Sequence, residues 1–180
     1  MSWPGPPGGE RRRVKVTPST VAATLAEGII QSTNRLRSRL DEEGFARAEP
    51  KRYHSEDGVL ECLLFEWFLR EIVVAVEFGR HAKTISAALQ RRLLNDLERS
   101  GLSPAVLVNF DGVHARRFTE YGDAVEINES LQALGDLAWR RILGREEPSD
   151  RMTMLLAVRA TAQLTAMRGI AQRYTLFTGT

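Results

Sequence analysis

The sequence predicts an all-α fold, a single-domain bundle of about five to seven helices around a central apolar helix. Three observations carry this. Residues 58–100 read as one helical pattern with no Pro and a single internal Gly, Gly79. The first half of that pattern, 59–78, is apolar on nearly every side, so other helices must wrap it. No segment shows the alternation of a half-buried strand, and no internal repeat is found.

Residues 1–16 are expected to form a flexible basic tail, because Pro4, Pro6, Pro7 and several Gly residues oppose regular structure. The all-helical domain is then 17–180. Its first helix has Thr17 as N-cap and Pro18 at the first helical position. Val21, Leu25, Ile29, Leu36 and Leu40 recur at helical spacing, and the helix should stop near Gly44. Residues 46–53, with Pro50, read as a loop. Ser55 caps the central helix, with Glu56 and Asp57 at its positive end. A 40-residue helix is long for a chain of this size, so a break or bend is expected at Gly79, with Gly101 as the final stop.

A further helical segment starts at Ser103 and Pro104, and Gly112 and Gly122 point to short or irregular pieces there. Asn128 is expected to cap a helix bearing Leu131, Leu134, Leu137, Ala138 and Ile142 that ends at Gly144. Ser149 caps the last helix, 150 to about 174, whose Ala162, Ala166 and Gly169 would admit a neighbouring backbone. Phe65, Trp67, Phe68, Val73, Val76, Leu137, Trp139, Leu155 and Leu156 are expected in the core or a subunit interface. The single cysteine, Cys62, lies among leucines, reads as a small buried hydrophobe and excludes an intramolecular disulfide.

The mix of 43% hydrophobic and 27% charged residues is that of a soluble protein. No apolar run of about 18 residues free of charge exists, which argues against a membrane span. With no secretory signal pattern in the first residues, the expected location is cytoplasmic. The 22 Arg against 3 Lys read mainly as the codon bias of a GC-rich, bacterial genome. Residues 1–16 carry +3 of a total of +2, which leaves −1 on the body and no support for a basic nucleic-acid-binding face there.

Two constellations could carry chemistry. Glu66, Arg70, Glu77 and His81 fall within one stripe about 60° wide on the central helix. Read structurally, the stripe faces solvent and holds two i, i+4 pairs. Read functionally, it is a polar line inside a bundle, and carboxylate with imidazole suits iron, manganese or zinc. The di-iron pattern of helical bundles needs Glu-x-x-His pairs, and the chain contains none, so no cofactor is assigned. The second constellation is 109–123, where His114, Arg117 and Tyr121 could bind a carboxylate or phosphate; its structural reading is a solvated helix with ordinary ion pairs, Arg116–Glu120 and Arg117–Tyr121. Arg11, Arg12, Arg13 and Lys15 form a tail that could contact nucleic acid or an acidic partner.

No Gly-rich phosphate loop, metalloprotease motif or nucleophile elbow occurs. The leading functional expectation is therefore a non-enzymatic interaction or scaffold protein that self-associates, a homodimer completing burial of the central helix, and that binds a protein partner. The alternatives are a helical-bundle enzyme or small-ligand or metal-binding protein using the polar stripe, and a nucleic-acid accessory protein using the tail alone.

Overall fold

A computed structural model describes residues 14–176 except 129, 145, 147 and 148. In chain order these form β1 (Val14–Val16), α1 (Pro18–Glu42), α2 (Phe45–Ala48), α3 (Pro50–Tyr53), α4 (Glu56–Phe78), a 3₁₀ turn (Gly79–His81), α5 (Ala82–Arg99), α6 (Pro104–Asn128), α7 (Leu131–Leu143), α8 (Asp150–Ala171) and β2 (Tyr174–Leu176). The chain is all-α, and α4 is its axis. It touches α1, α5, α6, α7 and α8, and Leu64, Phe65, Trp67, Leu69 and Val74 along it are fully enclosed. None of the described helices is long and apolar enough to cross a membrane.

The caps follow local chemistry. Thr17 accepts a hydrogen bond from the backbone N–H of Thr20, Ser55 from Gly58 and Ser149 from Met152, each meeting an orphan donor of a first turn. Gly44, Gly101 and Gly144 all have positive φ where helices or turns end. At Gly79 the backbone adopts φ +48° and ψ −120°, a conformation glycine enters at little cost. There α4 stops, the chain makes one 3₁₀ turn, and α5 packs along α1. Cys62 is buried, and burial pushes its thiol up to about 12.

Several expectations are corrected. The stretch 46–53 is not a loop but two single-turn helices. Arg52 of α3 donates from Nε to the Ile142 carbonyl at 2.9 Å and from Nη2 to the Arg141 carbonyl at 2.8 Å, closing the C-terminal end of α7 with a cation. Residues 104–128 are one unbroken helix despite Gly112 and Gly122. Each Gly costs about 1 kcal/mol, but Phe110 and Tyr121 are buried in the core and Val113, Phe118 and Val125 pack against it, and that packing outweighs the cost. Because α6 continues through Asn128, the N-cap of α7 is Ser130.

Strands are also present. Val14–Val16 and Tyr174–Leu176 pair in parallel, Val14 opposite Tyr174. The last helix therefore ends at Ala171, and residues 14–16 join the folded body rather than the tail. Val76 is 63% exposed and lies outside the core, unlike Phe65, Trp67, Phe68, Val73, Trp139 and Leu156; Leu137 and Leu155 are partly buried against it. The close helix approach is not at Gly169, where an added Cβ would meet nothing within 4 Å, nor at the exposed Ala162 and Ala166. It is at Gly135 of α7, where a Cβ would lie 2.5 Å from the Thr153 carbonyl oxygen and 3.0 Å from the Ala157 nitrogen of α8.

Candidate functional site

Three helices bring together a buried ion cluster. Glu66 and Arg70 stand one turn apart on the enclosed part of α4, α1 presents Gly28 and Ser32, and α8 supplies Arg159. Glu66 is 0% and Arg70 4% exposed. Arg70 Nη1 donates to Glu66 Oε2 at 2.7 Å and to the Glu66 carbonyl at 2.8 Å. Its Nη2 donates to the Gly28 carbonyl at 3.0 Å and to Ser32 Oγ at 2.5 Å. Arg159 Nε donates to Glu66 Oε1, and its Nη2 to the Ser32 carbonyl at 2.6 Å. One carboxylate thus faces two guanidiniums. Burial lowers the Arg70 pKa first of all; Glu66 opposes that shift and Arg159 adds to it.

This cluster borders a groove of about 370 Å³ between α1 and α8, within the usual range of roughly 300–1,000 Å³ for ligand sites. Its walls are mainly apolar, from Val21, Leu25, Val73, Phe78, Met167 and Tyr174, and Arg70 lies in its floor. Arg35, Gln31 and Gln163 line it as well.

The predicted stripe on α4 therefore divides. Glu66 and Arg70 turn inward. Glu77 pairs with Arg168 of α8 at 2.7 Å, and His81 lies beyond the Gly79 break, accepting from Arg80 Nε at 3.2 Å. Among the described residues no group of three or more His, Cys, Asp or Glu side chains could hold a metal ion.

His114, Arg117 and Tyr121 share the face of α6 that meets α4, but each goes to its own partners. His114 sits among rings, with centroids 4.3 Å from Trp67 and 4.0 Å from Phe118. Its Nε2 is buried without a hydrogen bond among the described residues, and burial lowers its pKa, with Asp111 opposing. Arg117 grips Glu61 through Nε at 2.9 Å and Nη2 at 2.7 Å, and reaches Glu120 at 3.0 Å. Those bonds to Glu61 raise its pKa. Glu120 pairs with Arg117 and Arg141 rather than Arg116. Tyr121 is fully buried between Phe65 and Phe68, its hydroxyl has no hydrogen-bond partner among the described residues, and burial raises its pKa. A polar cleft beside this face, of about 350 Å³, is lined by Arg52, Arg117, Arg140 and Arg141 together with Asp57, Glu61 and Glu146; its cations are already met by carboxylates.

Lys15 is exposed in β1, and Arg11, Arg12 and Arg13 lie outside the described residues. Sequence reasoning missed Arg159 and Ser32. The signal for Arg159 was its place on α8 between Leu156 and Ala160, a cation on a core-facing position that requires a buried carboxylate.

No family model matches this sequence, and no curated protein or solved structure is detectably similar to it.

Proposed function

We propose that the protein is a helical small-molecule binder that holds a largely apolar ligand in the α1–α8 groove. One observation carries the reading: an open, mostly apolar cavity runs along the two helices and meets a hydrogen-bonded cluster through Arg70 and Ser32. Apolar walls give affinity by removing ligand surface from water, and a few fixed polar groups orient what binds. The test is titration with a neutral, polarity-sensitive fluorophore, comparing the native chain with Ala166→Trp, which fills the groove from an exposed position on α8. Saturable binding lost in that variant, with unfolding temperature retained, supports the reading. Equal binding by both forms, or none by either, defeats it.

A second reading, the self-associating interaction protein, is favoured by the outer face of α8. Met154 and Val158 are one turn apart there and 54% and 59% exposed. Paired α8 faces would cover them. Light scattering on a size-exclusion column tests this: a dimer that Val158→Glu converts to monomer supports it, and a monomeric native chain rejects it.

A further inference from the structure

We infer that the α1–α8 groove selects an amphiphile with a single negative charge, of which a medium-chain carboxylate is the simplest example. This rests on the groove being a ligand site, and it adds the chemical class and the orientation of the ligand.

The charge balance of the groove favours an anion. The groove and the cluster behind it contain the carboxylates of Glu27 and Glu66 and the guanidiniums of Arg35, Arg70 and Arg159. Two anions against three cations leave one positive charge unmatched, on the exposed Arg35 that lines the groove, where a counter-charge gains a modest, salt-screened attraction that adds to burial of the ligand's chain. The groove also holds uncommitted hydrogen-bond donors. Arg35 makes no ion pair or hydrogen bond among the described residues, and neither does Gln163, although both line the groove. Four of the five N–H groups of Arg70 are committed, which leaves Nε–H. Glu27 is less available to a cationic ligand, because it already accepts from Gln31 at 3.0 Å.

Polar and apolar residues separate along the groove. From Val21 to Arg35 the α1 wall runs about 21 Å at 1.5 Å per residue. Helices α1 and α8 run antiparallel: Arg159 bonds to Ser32, while Tyr174 lies near the start of α1 through the β1–β2 pair. Arg35, Ser32 and Gln163 therefore cluster at one end, and Val21, Phe78, Ile170 and Tyr174 at the other. A head group at the Arg35 end puts its chain against the apolar end. A purely polar dianion such as phosphate would leave those walls uncovered, and a two-chain lipid exceeds about 370 Å³.

The experiment is calorimetric titration with decanoate, decanol and decylamine, each kept below its aggregation limit, on the native chain and on Arg35→Gln. The expected result is one site per chain, with decanoate bound about tenfold tighter than decanol, decylamine weakest, and the decanoate advantage reduced to within about threefold in Arg35→Gln. Decanol or decylamine binding as tightly as decanoate overturns the anion selection while leaving a ligand groove. An unchanged preference in Arg35→Gln overturns the proposed orientation. Failure of all three probes, together with failure of the neutral fluorophore, removes both readings. Arg35 is exposed, and an unfolding curve matching the native chain confirms that the variant is folded.

Discussion

Replacing Glu66 by Gln isolates the electrostatics of the buried cluster while keeping its shape. The native carboxylate accepts from Arg70 through one oxygen and from Arg159 through the other. In Glu66→Gln two guanidiniums face each other with no counter-ion, and one of the two acceptor positions becomes an NH₂ group aimed at a cation. Breaking a buried pair by removing one partner costs about 3–5 kcal/mol. For a domain of this length each kcal/mol is worth about 2–4 °C, so the unfolding temperature should fall by roughly 6–20 °C. Calorimetry and urea unfolding measure both quantities. A triple variant, Glu66→Leu with Arg70→Met and Arg159→Met, removes every charge together. Ser32 Oγ keeps its bond to the Gly28 carbonyl, at 2.7 Å in the native chain. Apolar replacement of whole buried clusters is often neutral or better, so the triple variant should be more stable than Glu66→Gln alone. A loss below about 1 kcal/mol in Glu66→Gln would mean that water reaches the cluster and screens it, and the charge argument for the groove would fall with it.

Two further outcomes follow from the packing. Gly135→Ala should cost about 1–3 kcal/mol or more by forcing α7 from the α8 backbone, whereas Gly169→Ala, with open space at its Cβ, should gain up to about 1 kcal/mol; urea midpoints that move in the same direction for both would contradict the assigned contact. Burial holds the His114 imidazole below its ordinary value of 6.5. The unfolded chain therefore takes up this proton at higher pH than the folded one. The associated stability is complete above 6.5 and is lost as pH falls from there toward the folded value, so stability rises with pH in that window. His114→Phe should remove this component of the pH profile and add about 1 kcal/mol by eliminating an unpaired buried nitrogen among rings; a native-minus-variant difference that is flat in pH would reject the assignment.

What the sequence revealed was decided by neighbours within one helical turn. Thr17, Ser55 and Ser149 each act on a donor three residues away, so their caps are legible without the fold. Gly79 is legible because it alone interrupts a long apolar run. The stripe of Glu66, Arg70, Glu77 and His81 is legible as a line on a helix, but its inward half depends on Ser32 and Arg159, 34 residues before Glu66 and 93 after it. The same limit applies to Gly135 and Gly169, alike in sequence and opposite in surroundings. Gly112 and Gly122 misled because their intrinsic cost is local, while the compensation comes from α6 lying on α4. Three-residue strands are too short to show alternation, and Val14–Val16 has its partner at the far end of the chain.

That β1–β2 pair has a consequence for the order of assembly. Its partners are separated by 160 positions, while α7 and α8 are consecutive helices in close contact. Closing a loop of that length forfeits chain entropy that only a finished helical body can offset. The helices should thus associate before the strands join, and the strands should be among the first elements to separate under stress. Tyr174 belongs to β2 and walls the apolar end of the groove. On that order the pocket should be completed late in folding, and any molecule held against Tyr174 should also fasten the two ends of the described chain to each other.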